Sequence, residues 1–160
     1  MKRNFDFLTE VKEFHERFEH PILPTPQIPS VDRCALRVEL LREELEELQH
    51  AIHTKNIVEV ADAFCDLQYV LSGAILEFGM GEKFPSMFDM VHHSNMSKAC
   101  STIKEAEDTI KFYLEKDGTE SYYKEKDGIF LVYRKSDNKT LKSVNYTPVN
   151  LKPILYETVS

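Results

Sequence analysis

Apolar residues recur at helical spacing through most of the first hundred residues, and the polar residues between them mark where helices start and stop. Residues 5–19 place Phe7, Val11, Phe14, His15 and Phe18 at that spacing and predict a helix. Pro21, Pro24, Pro26 and Pro29 then forbid regular helix, because proline lacks an amide hydrogen and restricts the residue before it. An extended connector is expected there. Ser30 is a suitable N-cap for a long helix running to about His53. A turn at Thr54-Lys55-Asn56, with Asn56 as the next cap, leads into a third helix that reaches Phe78, where Gly79 and Gly81 end it. A fourth helix begins near Pro85 and runs to about Ala99.

Beyond residue 100 the pattern weakens. Residues 102–115 suggest one more helix, and Tyr122 to Arg134 a small β-hairpin turning at Asp127-Gly128. The last stretch, with Asn145-Tyr146-Thr147-Pro148 and Lys152-Pro153, reads as an extended tail lying across the body. The expected fold is mostly α, an antiparallel helical bundle around two long helices joined by a tight turn. The 160 residues suffice for one domain, with a helical core over about 1–100 and an extension over about 101–160.

Acids interrupt both long helices. In the second helix the main apolar stripe is Leu41, Leu45, Leu48 and Ile52, with Glu43 and Glu46 roughly opposite it. Glu44 and Glu47 belong to another line, Leu40, Glu44, Glu47, Ala51, about 100° from the first and apolar at both ends. The third helix carries the stripe Val60, Phe64, Leu67, Leu71, Ala74 and Phe78, and beside it Glu59, Asp62 and Asp66. Carboxylates in a helix otherwise nearly all apolar are costly to bury unless something positive faces them.

Hairpin geometry pairs these acids. Glu47 with Asp62, and Glu44 with Asp66, are equally far from the turn at residues 54–55, so four carboxylates come to matched heights. An oxygen cage without His or Cys suits a hard cation, Mg²⁺ or Mn²⁺, better than zinc. Glu59, one turn nearer the loop and level with His50, is a candidate fifth ligand. Glu-rich helices are more often solvated faces laced with salt bridges. Here only Arg37 and Arg42 lie close along the chain to serve as partners.

Net charge is −7, which excludes a basic footprint for nucleic acid or an anionic membrane. A protein of this charge that handles phosphates has to bring in positive charge locally, through a metal or a few placed Lys and Arg residues. No apolar run approaches the ~20 residues of a membrane span. The N-terminus Met-Lys-Arg-Asn-Phe-Asp has no signal-peptide core, and Cys34, Cys65 and Cys100 lack metal-ligand spacing and read as reduced core thiols. These features point to a cytoplasmic protein.

At the acids the sequence resembles the all-α NTP pyrophosphohydrolases, the superfamily of MazG, phosphoribosyl-ATP pyrophosphohydrolase and the dimeric dUTPases. Their signature is Glu-x-x-Glu on one helix and Glu-x-x-Asp on the next. Glu44-x-x-Glu47 matches the first half, with Glu43 as the acid that often precedes it. The second half matches as Glu59-x-x-Asp62. With Asp66-Leu67-Gln68-Tyr69-Val70 aligned to the family's Asp-Leu segment instead, Ala63 takes the Glu position and Asp62 substitutes. Phe14-His15 before the Pro-rich connector looks like a MazG-like, dUTPase-like subgroup. So do Asp62 to Gly81 with its internal Gly73, Val91-His92-His93-Ser94-Asn95-Met96-Ser97-Lys98, and Lys142-Ser143-Val144-Asn145-Tyr146 before Pro148.

The resemblance implies a homo-oligomer, a dimer or dimer of dimers, with active sites built from both protomers. It implies cleavage of a nucleoside triphosphate between its α- and β-phosphates, with Mg²⁺ held by Glu44, Glu47, Asp62 and Asp66. Glu43 is the general base by the same analogy, although its place opposite the apolar stripe requires a kink or a partner helix to bring it in. Lys98 with Asn95, and Lys142 with Tyr146, are candidates for holding the phosphates and sugar, so that the tail completes the nucleotide site. His92 and His93 read as a helix-face pair. Gly73, mid-helix, costs about 1 kcal/mol against Ala, which a close helix crossing or room for a ligand would justify. The rival readings are phosphoribosyl-ATP as the substrate, and a non-catalytic helical interaction module whose acids bind Mg²⁺ or a basic partner.

Overall fold

A computed structural model describes residues 6–156 of the chain. Its elements are α1 (Phe7–Arg17), α2 (Val31–His53), α3 (Ile57–Glu77), α4 (Phe84–Met96), α5 (Ile103–Asp117), β1 (Ser121–Lys126), β2 (Ile129–Arg134) and α6 (Lys152–Tyr156). Helix dominates, with a small antiparallel hairpin near the C-terminal end. The chain divides into two compact units, Met1–Pro85 and Ser86–Ser160, the boundary falling in the first turn of α4.

In the first unit α3 packs along both α2 and α1. Asp6 caps α1, its carboxylate accepting the Thr9 amide at 3.0 Å. Phe5, where the pattern begins this helix, lies outside the described residues, as do the first four residues. The proline connector is irregular throughout, as expected. Ser30 precedes α2, but its side chain makes no capping bond. Asn56 does cap α3, accepting the amide of Val58 at 3.1 Å and that of Glu59 at 3.4 Å. The connector is pinned to the far end of α3 by Leu23 N–H to the Leu76 carbonyl and Gln27 N–H to the Phe78 carbonyl, each 3.1 Å. Gly79 closes α3 at φ +70°, and a Cβ there would lie 1.9 Å from the Thr25 carbonyl oxygen.

The buried faces differ from the stripes read off the sequence. Leu45 and Ile52 of α2, and Phe64 of α3, are each more than half exposed. Buried instead are Arg37 and Ala51 on α2, with Leu40 and Glu44 partly covered, and Ala63, Gly73, Ile75, Leu76 and Glu77 on α3. Small residues where two helices cross allow a close approach. The buried line of the two helices therefore includes small and acidic residues, and several of their bulky apolar residues stay outside.

The second unit begins along α4 and continues through α5 and the hairpin. Thr102 caps α5, and Gly118 ends it in the left-handed conformation. Asp127 and Gly128 both have positive φ and form the expected two-residue turn, which sets the register Tyr122↔Tyr133. The core joins Cys100, Ala106, Phe130, Val132 and Leu141, with Ile110 and Tyr113 against them. Of the three cysteines only Cys100 is fully buried, and Cys65 is exposed. The tail is irregular, with a turn at Val144-Asn145 closed by the Tyr146 amide donating to the Ser143 carbonyl, until α6, a short helix that Pro153 in its first turn permits and the sequence reading leaves extended.

Candidate functional site

The turn at Thr54 to Asn56 folds α2 and α3 back on one another, so their acids face across a shared cleft. Glu44 and Asp66 are half-buried, whereas Glu43, Glu47 and Asp62 are exposed. Burial raises the Glu44 carboxyl above its ordinary value, and the charges of Asp66, Glu47, Glu43 and Asp62 push it the same way. The other three acids expected as ligands thus act on Glu44, together with Glu43. Glu43, expected to point away, belongs to the same set. It lines a cavity of about 830 Å³ at the turn together with Glu47, His50, Glu59 and Asp62.

Among the described residues none of these six acids pairs with Lys or Arg. A salt-bridged surface is therefore not the explanation of the cluster. Nor do any three His, Cys, Asp or Glu side chains converge closely enough, among the described residues, to hold a metal ion. The carboxylates share a cleft and a field without closing on a point, as mutually repelling groups do.

One helical turn away along both helices, Leu40 and Tyr69 help to line a second cavity of about 300 Å³. Phe14, His20, Leu36 and Val70 complete much of its wall. Phe14 stacks on His20 at 5.6 Å and meets Tyr69 edge-on at 5.5 Å between ring centroids. Sequence reasoning misses this cavity. Phe14 is legible as a core residue of α1, but which side of the α2–α3 pair α1 covers is not.

An ionic network reaches that cavity, whose wall also includes His15, Arg33 and Arg37. Glu77 is 1% exposed and pairs with Arg37, Nε to Oε2 at 2.9 Å, and with Arg33. Burial alone would raise its carboxyl, but hydrogen bonds from Arg37 and Arg33 outweigh that and hold it below the usual range. Arg37 Nη2 also lies 3.2 Å from His15 Nε2, while His15 Nδ1 lies 3.0 Å from the Pro21 carbonyl oxygen. A Cβ on Gly73 would sit 2.8 Å from Arg37 Nη1 and 2.9 Å from His15 Nε2. The mid-helix glycine makes room for this network.

Within the second unit, Asn95, Lys98, Lys142 and Tyr146 come together. Tyr146 Oη is hydrogen-bonded to Ser94 Oγ at 2.9 Å, and Lys142 Nζ stands 4.4 Å above the Tyr146 ring. Lys98 Nζ donates to Asn95 Oδ1 at 2.6 Å. The tail is held there by Ser94 Oγ donating to the Thr147 carbonyl and the Thr147 amide donating to Ser97 Oγ. The Ser94 hydrogen bond lowers the Tyr146 phenol from its ordinary value, and Lys142 and Lys98 reinforce it against the opposing effect of burial. His92 and His93 are both exposed on α4.

Residues 11–95, more than half of the chain, match the family model of phosphoribosyl-ATP pyrophosphohydrolase. The chain belongs to that family. Its members are pyrophosphohydrolases, acting on phosphoanhydride bonds. The matched stretch contains every acid of the cleft and the whole wall of the smaller cavity, and it includes Asn95 but not Lys98, Lys142 or Tyr146. The chain is also similar to "Uncharacterized protein L479" of Acanthamoeba polyphaga mimivirus, at 35% identity over 78 residues. That alignment covers 46% of this chain and 29% of the viral protein, so the chain spans well under half of that relative's length. No described helix is long and apolar enough to cross a membrane.

Proposed function

We propose that this chain hydrolyses a nucleoside triphosphate between the α- and β-phosphates, giving a nucleoside monophosphate and pyrophosphate, with Mg²⁺ as the metal and Mn²⁺ as a substitute. The observation that carries this reading is Glu44, a half-buried carboxylate acted on by four more acids, Glu43 and Glu47 on its own helix and Asp62 and Asp66 on α3. Such a donor set, all hard oxygen, fits a hard divalent cation. Glu44, Glu47, Asp62 and Asp66 would hold it. When bound, the ion supplies positive charge against the phosphate oxygens as charge develops there.

The remaining steps belong to the chain. Glu43 opens into the same cavity as Glu47 and Asp62 and takes a proton from the attacking water. The water oxygen bonds to the α-phosphorus, the bond to the bridging oxygen breaks, and pyrophosphate leaves with that electron pair. The apolar cavity lined by Leu40, Phe14 and Tyr69 suits a flat base, because aromatic walls shed water from a ring face. In the second unit, Lys98, Lys142, Asn95 and the Tyr146 phenol supply directional donors suited to phosphate or sugar oxygens.

A second reading, phosphoribosyl-ATP as the substrate, is favoured by the family to which the chain belongs. It uses the same acids and the same bond cleavage. Pyrophosphate release from the common ribo- and deoxyribonucleoside triphosphates and from phosphoribosyl-ATP, each with Mg²⁺, separates the two. The proposal expects turnover of at least one nucleoside triphosphate and loss of it with chelator. Turnover of phosphoribosyl-ATP alone would replace it with the second reading. No turnover of any of them, with Mg²⁺ still bound, would leave a non-catalytic binding module.

A further inference from the structure

His15, Arg37, Glu77 and Gly73 take no part in the chemistry above, yet three of them are almost wholly buried charged or titratable groups. Their arrangement is directional. The Pro21 carbonyl can only accept, so the 3.0 Å approach places a proton on His15 Nδ1. The Arg37 guanidinium can only donate, so Nε2, at 3.2 Å, must be the unprotonated nitrogen. His15 is therefore a neutral imidazole of one defined tautomer, tying the connector to α2 through α1. Arg37 continues the tie to Glu77 on α3. The same α1 carries Phe14, next in sequence, whose ring meets Tyr69 in the wall of the smaller cavity.

We propose that His15 and Arg37 are positioning residues, which lock α1 against α2 and α3 in the space left by Gly73 and so fix the aromatic wall of the cavity one turn from Glu44 and Asp66. The inference rests on the reading of that cavity as the place of the nucleotide base. Both residues also line that cavity, and neither pairs with the acids of the cleft. Loosening the lock should therefore weaken substrate binding and leave the chemical step intact.

The groups facing His15 are Arg37 from α2, Glu77 from α3, and His20 with the Pro21 carbonyl from the connector. Burial keeps the imidazole below its ordinary value of 6.5, and Arg37 and His20 reinforce it against the Pro21 bond and Glu77. Protonation would remove the acceptor from Arg37 and set two cations side by side.

The test uses His15→Gln, Arg37→Lys and the milder Gly73→Ala in the full chain, with the nucleoside triphosphate that the wild type turns over fastest and saturating Mg²⁺. KM is expected to rise about tenfold or more in the first two, and less in the third, with kcat changed by no more than about twofold. In the wild type, KM should also rise as the pH falls through the His15 value below 6.5, and His15→Gln should abolish that rise. A merely structural network would lower the folded fraction, so kcat per chain would fall at constant KM. That result, or a pH profile of KM unaltered in His15→Gln, overturns the proposal.

If no nucleotide is turned over, the functional reading has failed and the lock is read from ring carbon and proton resonances instead. A wild-type His15 protonated on Nδ1, together with Phe14 and Tyr69 rings that move apart in Gly73→Ala or His15→Gln, supports it. A proton on Nε2, or rings that stay together in both variants, overturns it.

Discussion

At Glu44, burial and four neighbouring carboxylates act in the same direction, so its raised value is a statement about stability. An acid whose folded value is raised favours its protonated form in the folded state. Stability from this group is complete below its ordinary value of 4.5 and is lost as pH rises through the folded value. At neutral pH the metal-free protein carries the repulsion. Glu44→Gln should therefore raise the metal-free Tm at pH 7 and leave it nearly unchanged near pH 4, while abolishing turnover. Thermal melts in chelator at the two pH values check both halves, and a Tm that falls at pH 7 would contradict the repulsion. Glu77 behaves oppositely. Its folded value is lowered, so its stabilisation is present above 4.5 and disappears as pH falls through the folded value. Glu77→Gln leaves the Arg37 and Arg33 charges without their partner, and removing one member of a buried pair costs about 3–5 kcal/mol. Denaturant unfolding of that variant measures the loss directly.

Among the elements, α3 shows most clearly what a chain reading captures. Its start and stop are legible because they rest on local chemistry: Asn56 accepts two amides, and Gly79 takes a positive φ. The hairpin turn at Asp127-Gly128 is legible for the same reason. The faces are not. Phe64 looks like core by its spacing, yet it is outside, because the helix crossing selects the small residues Ala51, Ala63 and Gly73. The acids stand out because matched distance from a turn is a property of the chain itself. The Arg37–Glu77 pair, 40 residues apart, depends on how the helices cross and leaves no such mark. Glycine substitutions on α3 separate these cases. Gly73→Ala gains about 1 kcal/mol of helix propensity, but its Cβ meets Arg37 and His15 at 2.8 and 2.9 Å. Overpacking of that kind costs about 1–3 kcal/mol, so a net loss of stability is expected. Gly79→Ala should be far worse, since its obstacle at 1.9 Å is the Thr25 backbone and its φ is positive. A Gly79→Ala protein as stable as wild type would mean that the connector does not pack there.

For the whole molecule, the apolar residues left outside the first unit have a direct consequence. Leu45, Ile52 and Phe64 are each more than half exposed, and so are Ile57 and Val58 beside the turn. A surface of this kind seeks cover. We expect a homo-oligomer that buries it, with light scattering giving a mass of two or more chains at micromolar concentration. Phe64→Glu should lower that mass and, if partner helices complete the cleft, activity with it. A folded, fully active monomer would contradict both.

The central claim is that the acids of α2 and α3 hold a divalent cation that serves phosphoanhydride cleavage. Pyrophosphate release from nucleoside triphosphates, followed side by side for the wild type and Asp66→Asn over a Mg²⁺ titration, tests it most directly. The account predicts release that rises with Mg²⁺ in the wild type and is lost in the variant, although the variant stays folded. Release independent of Mg²⁺, or within a few-fold of wild type in Asp66→Asn, would contradict it.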